Sequence, residues 1–143
     1  MLAAVLGILG VVVGALLAIA GQLRVDQLRR RESLQLELLT QCAEMFALES
    51  NFRRLAREAR EGNPDVLLHW DRQRLRLADA KIRLLSSDAA LIRAISTLTD
   101  VGKQCYAAAL SGTEAEYVAA GLSHDAALDE LLRTGQRAIR RAS

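Results

Sequence analysis

The sequence predicts an all-α protein, with an N-terminal transmembrane helix that continues into an antiparallel four-helix bundle. Three observations carry that expectation. Leu2 to Ala20 hold no charge and no strongly polar side chain. Apolar residues make up 51% of the chain but aromatics only 3%, so the core is aliphatic, which suits packed helices better than sheets. From Leu34 onward, apolar residues recur at three- and four-residue spacing, in segments separated by Gly, Pro, Ser and Asp.

The apolar segment comes first. Nineteen helical residues rise roughly 28 Å, close to the ~30 Å hydrocarbon thickness of a bilayer. Residues 1–23 are therefore expected to be the transmembrane helix, 24–33 a basic juxtamembrane stalk and 34–143 a cytoplasmic helical bundle. Arg24, Arg29, Arg30 and Arg31 follow the segment and no Lys or Arg precedes it. That asymmetry places the N-terminus outside and the rest of the chain in the cytoplasm of a single-pass cell-membrane protein. Ala18-Ile19-Ala20 has the small-x-small form of a signal cleavage site, which would instead release an extracytoplasmic helical domain. The missing basic start and the arginines just beyond it argue against cleavage.

Glycine is not scattered in the segment. At 100° per residue, Ala3, Gly7, Gly10, Gly14, Ala18 and Gly21 fall within an arc of about 80°. Small residues at four-residue spacing let two helix backbones approach in lipid. Gly7, Gly10, Gly14, Ala18 and Gly21 are the expected transmembrane packing face.

No Gly or Pro interrupts Gln22 to Glu61, so the first helix is expected to run on. Leu34, Leu38, Gln41, Met45, Leu48, Phe52, Leu55 and Ala59 form a row at heptad spacing, the pattern of a coiled coil. Glu49 lies beside it, with Arg53 one turn on as the expected partner. Gly62-Asn63-Pro64 ends that helix, with Asn63 as cap and Pro64 as first residue of a helix reaching Leu85. Leu68, Leu75, Ala78, Ile82 and Leu85 give its core stripe. Val66, Trp70, Leu77 and Leu84 add a second ridge; the two together span nearly 200°, wider than a packed surface helix needs. Trp70, Leu77 and Leu84 are thus expected to contact a partner protein. Ser86-Ser87-Asp88 caps the third helix, whose stripe is Leu91, Ile95, Leu98, Gly102, Cys105 and Ala109, Gly102 suggesting a close helix crossing. Thr113-Glu114-Ala115-Glu116 is a capping box that opens the fourth. Its stripe is Tyr117, Gly121, His124, Leu128, Leu131, Gly135 and Ala138. Cys42 and Cys105 read as small core residues.

By length, the first helix leaves the membrane for roughly 55 Å and the fourth returns for roughly 43 Å. Arg137, Arg140 and Arg141 are then expected to join Arg24, Arg29, Arg30 and Arg31 in a collar for anionic lipid.

The chemistry is sparse. Basic and acidic residues nearly balance, 19 against 17, which excludes general nucleic-acid binding. His69 and His124 are single and lack ligand spacing. No Glu-x-x-His, Gly-x-Ser-x-Gly, Walker loop or dinucleotide fingerprint occurs. No enzyme activity, metal or cofactor is expected. The stretch from Gly14 to Leu39, with Gly21-Gln22-Leu23-Arg24 and Arg29-Arg30-Arg31-Glu32, resembles small uncharacterised actinobacterial single-pass membrane proteins that carry a helical cytoplasmic domain. That resemblance implies a bacterial membrane protein and no particular activity. The expectation is a membrane-anchored helical interaction or scaffold module. Its partners would be membrane lipid, further copies of the chain and a cytoplasmic protein. A self-assembling membrane effector or pore component is the alternative, though the span offers no polar side chain to line a lumen.

Overall fold

The computed structural model describes the backbone of residues 2–141 and the side chains of 18 and 20–141. The chain is all-α, and no strand occurs among the described residues. Four helices form: α1 (Leu2–Arg60), α2 (Arg72–Leu85), α3 (Ala89–Ser111) and α4 (Glu114–Arg141). A short 3-10 helix, Pro64–His69, lies between α1 and α2. The chain divides into two units, residues 1–34 and 35–143.

Each boundary has a local cause. Gly62 turns the chain at φ +117°, in the left-handed region that glycine adopts without strain. Asp71 opens α2 by accepting the Arg74 N–H. Asp88 opens α3 by accepting from Ala90 and Leu91. The expected capping box opens α4: the Thr113 N–H donates to Glu116 at 2.7 Å, and the Glu116 N–H donates back to the Thr113 hydroxyl at 3.3 Å.

Cross-element contacts set the directions in unit 35–143. Along α1, Gln35, Glu49 and Arg60 meet Ile139, His124 and Glu114 of α4, so these two helices are antiparallel. Glu44 meets Arg74, and Phe52 meets Trp70 just before α2, which sets α2 against α1. Arg83 reaches Ser96, while Trp70 stacks near Tyr106, which sets α3 against α2. The arrangement is up-down-up-down.

The second segment differs from the expected helix. Pro64 begins a 3-10 turn, and the chain is extended at Trp70 before α2 starts. Asn63 makes no side-chain cap bond. A 3-10 helix turns about 120° per residue, so the stripe drawn at 100° misplaces its residues. Leu67 is buried at 3% exposure, whereas Leu68, expected in the core, is 79% exposed. Leu75, Ala78 and Ile82 hold the expected α2 face. Leu34, at the start of the α1 row, is 53% exposed.

The expected transmembrane helix falls largely on residues whose side chains lie outside the described set. Among the described residues, no helix is long and apolar enough to cross a membrane.

Candidate functional site

The core of unit 35–143 is two apolar clusters with a polar layer between them. One cluster gathers around Met45, Ile82, Leu91, Ile95, Leu98 and Leu131. The other gathers around Phe52, Leu55, Leu67, Cys105 and Ala109. On α1 the layer falls at Glu49, between Met45 and Phe52. On α3 it falls at Gly102, between Leu98 and Cys105. On α4 it falls at His124, between Leu128 and Gly121.

Glu49 and His124 are 1% and 0% exposed, and the Glu49 Oε2 lies 2.8 Å from the His124 Nε2. The expected Glu49–Arg53 pair does not form. Arg53 instead donates to both carboxylate oxygens of Asp125, at 2.9 and 3.3 Å. The α1–α4 contact outcompetes the intrahelical one because it joins a half-buried guanidinium to a carboxylate in bidentate geometry. Burial pulls the Arg53 guanidinium down, but the hydrogen bond and charge of Asp125 outweigh it and hold it above its ordinary value. The His124 Nδ1 is buried without a hydrogen bond, 3.9 Å from Asp125 Oδ1.

Two glycines lie beside this layer, and at one of them a side chain would crowd it. A Cβ at Gly121 would stand 2.6 Å from the Arg53 Nη2. A Cβ at Gly102 would stand in ordinary contact with the Glu49 Oε2, at 3.8 Å. Gly102, expected to mark a close helix crossing, instead faces a side chain.

A cleft of about 230 Å³ opens beside the layer, bounded by α1, α2 and α3. Glu49 forms part of its lining, and Met45, Leu75, Trp70 and Tyr106 give it apolar walls. Asp79 is engaged by Arg83 at 2.6 Å and Lys103 by Asp100 at 3.1 Å. The Arg72 guanidinium lies over the rings of Trp70 and Tyr106, 5.0 and 4.5 Å from their centroids. Arg76 lines the cleft with no ion-pair partner among the described residues. The indole Nε1 of Trp70 is buried and donates to nothing.

Neither thiol is poised for chemistry. Cys42 and Cys105 are free and buried. Burial pushes the Cys42 thiol up to about 11. Burial also raises Cys105, although the Arg53 charge and its 3.7 Å contact pull the other way. Among the described residues, no group of three His, Cys, Asp or Glu side chains is placed to hold a metal ion.

The other residues singled out in the sequence are placed as follows. Gly7, Gly10 and Gly14 lie outside the described residues; Ala18 and Gly21 are exposed. Arg24, Arg29, Arg30 and Arg31 are exposed in unit 1–34, and Arg137, Arg140 and Arg141 in unit 35–143, where Arg141 pairs with Asp88 at 3.0 Å. The expected ridge of Val66, Trp70, Leu77 and Leu84 is broken. Trp70 turns inward and stacks on Phe52 with ring centroids 4.2 Å apart, while Leu77 and Leu84 remain 55% and 87% exposed. The polar layer and the cleft were not anticipated. Their one signal in sequence was a coincidence of level: Glu49, Gly102, Gly121 and His124 all interrupt or flank apolar stripes.

The caps carry a pH prediction. The Leu91 N–H holds the Asp88 carboxyl below its ordinary 3.8 against the opposing effect of burial, with the Ala90 N–H and the Arg141 guanidinium adding to it. The Thr113 backbone and hydroxyl hold Glu116 below its ordinary 4.5. A depressed folded value means the unfolded chain binds more protons, so this stability is complete above the ordinary values and lost as pH falls through the folded ones. The urea midpoint should hold steady down to about pH 5 and fall below it. Asp88→Asn and Glu116→Gln keep capping side chains but cannot titrate, so together they should flatten that fall. An unchanged acid slope would show that other carboxylates govern it.

Comparison with known protein families, curated proteins and solved structures returns no match for this chain.

Proposed function

We propose that this chain is a non-enzymatic, membrane-anchored helical binding module that pairs with a second copy through its anchor. The observation that carries the reading is Leu2–Ala20, free of charge and followed by Arg24, Arg29, Arg30 and Arg31. A small protein has no soluble use for a helix apolar on every side. The arginines favour a cytoplasmic position for the helical domain and a contact with anionic lipid.

The pairing rests on one face of α1. Val25 and Leu28 fall on the same arc of about 80° as Gly7, Gly10, Gly14, Ala18 and Gly21 at 100° per residue. Both are exposed in unit 1–34. A seam of small residues that gives way to exposed aliphatic ones suits two parallel copies, packed by close backbone approach in lipid and by apolar burial beyond it.

One labelled variant tests both parts. Ser123 is exposed on α4, and the native thiols are buried, so Ser123→Cys gives a single reactive site. In intact cells it should resist a membrane-impermeant thiol reagent and react after lysis; ready reaction before lysis reverses the orientation. In neutral vesicles, donor- and acceptor-labelled copies of the full chain should show energy transfer. Gly10→Ile or Gly14→Ile should reduce it several-fold, while Val12→Ile and Leu16→Ile, on the opposite face, should leave it unchanged. A monomeric parent, or equal loss from both faces, would sink the pairing.

A further inference from the structure

We propose that the cleft between α1, α2 and α3 binds a small organic anion with a flat apolar body, an arylalkyl carboxylate in chemical class. The inference is independent of the anchoring and pairing proposed above. Three features of the cleft point the same way. Its volume, about 230 Å³, lies below the roughly 300–1,000 Å³ of drug-sized pockets, which suits one ring and a short acidic arm. Its walls pair Met45 and Leu75 with the aromatic faces of Trp70 and Tyr106. It also holds a donor with no ion-pair partner among the described residues, the guanidinium of Arg76.

The charges select the sign of the ligand. Glu49 and Asp79 also line the cleft, but Glu49 is held by His124 and Asp79 by Arg83. Lys103 is held by Asp100. Arg76 is thus left to meet an incoming charge, while Arg72 lies across the Trp70 and Tyr106 rings at the same cleft. A carboxylate supplies two acceptor oxygens, which the planar guanidinium of Arg76 can engage side by side. A bare inorganic anion would leave the aromatic walls uncovered.

Trp70 is the only tryptophan in the chain, so binding there reads out directly in emission. The full chain in neutral maltoside micelles would be titrated with phenylacetate, phenylacetamide, 2-phenylethylammonium and inorganic phosphate. Phenylacetate should change the Trp70 emission saturably, and phenylacetamide should bind about tenfold more weakly, the loss of one charge-assisted contact. The ammonium compound and phosphate should bind more weakly still. Arg76→Gln, at an exposed position that leaves the core intact, should erase the preference for phenylacetate over phenylacetamide while keeping the affinity for the amide. Arg133→Gln, exposed on α4 and absent from the cleft lining, should change neither. The proposal fails if phenylacetate gives no saturable change, if acid and amide bind equally, or if Arg76→Gln keeps the preference. Phosphate binding as tightly as phenylacetate would also overturn it, because the aromatic walls would then contribute nothing.

Discussion

Glu49→Ala should cost the folded domain about 2–3 kcal/mol, because it leaves the fully buried His124 side chain without its partner in a layer between two apolar clusters. The Glu49 side chain is 1% exposed and the ring it touches 0%. Glu49→Gln keeps a hydrogen-bonding group of the same size and should cost less, about 1–2 kcal/mol. The double variant Glu49→Met with His124→Leu should recover most of the loss, since replacing both members of a buried polar pair by apolar groups of similar volume is often close to neutral. Urea denaturation of the parent, Glu49→Met alone, His124→Leu alone and the double variant, analysed as a double-mutant cycle, measures the coupling directly. If Glu49→Ala stays within about 1 kcal/mol of the parent, the pair does not hold the layer together. The cycle also separates stability from function. A double variant that folds well yet loses cleft binding would show that the polar layer is kept for its chemistry.

Leu9→Arg with Val12→Arg should release the protein from the membrane. Each arginine near the centre of a span costs roughly 2.5–3.5 kcal/mol in apparent insertion free energy, and a segment of nineteen apolar residues has little excess to offset two. The parent should stay with the membrane through alkaline carbonate extraction; the double arginine variant should move to the supernatant. Leu9→Ile with Val12→Ile, at the same positions, should behave as the parent does. Positions 9 and 12 lie on the face away from the glycines, so the result reports anchoring and not pairing. An extractable parent would remove the anchor from the proposed function. An arginine variant that stays bound would shift the attachment to another part of the chain.

Much of the helical domain was legible in the sequence because its signals are local. Thr113 and Glu116 cap each other across three residues, and Asp88 caps the helix that follows it immediately. The α3 and α4 stripes were read correctly down to Gly102, Gly121 and Gly135, since one face of a helix must meet the core at every turn. The stretch from Pro64 to Asp71 departs from the expected α-helix for an equally local reason. Pro64 suits the first turn of an α-helix and of a 3-10 helix alike, and six residues are too few for periodicity to separate them. The 3-10 turn puts Leu67 in the core and Leu68 outside, and Trp70 just beyond it stacks on Phe52.

The sequence by itself determined the all-α class, the caps, most of the core and the charge-free segment at the start, because propensity, capping and amphipathic period act within a few residues. Only the tertiary structure decided the partners of the polar side chains. Arg53 had Glu49 one turn away and took Asp125, 72 residues on. Glu49 took His124, 75 residues on. Helical periodicity fixes which face a residue occupies, but not which residue stands opposite when the faces close. Electrostatic pairing across that closure depends on depth and level in the bundle. The cleft with Arg76 and the Trp70 indole at its wall follows from the same closure, and no local pattern along the chain encodes it.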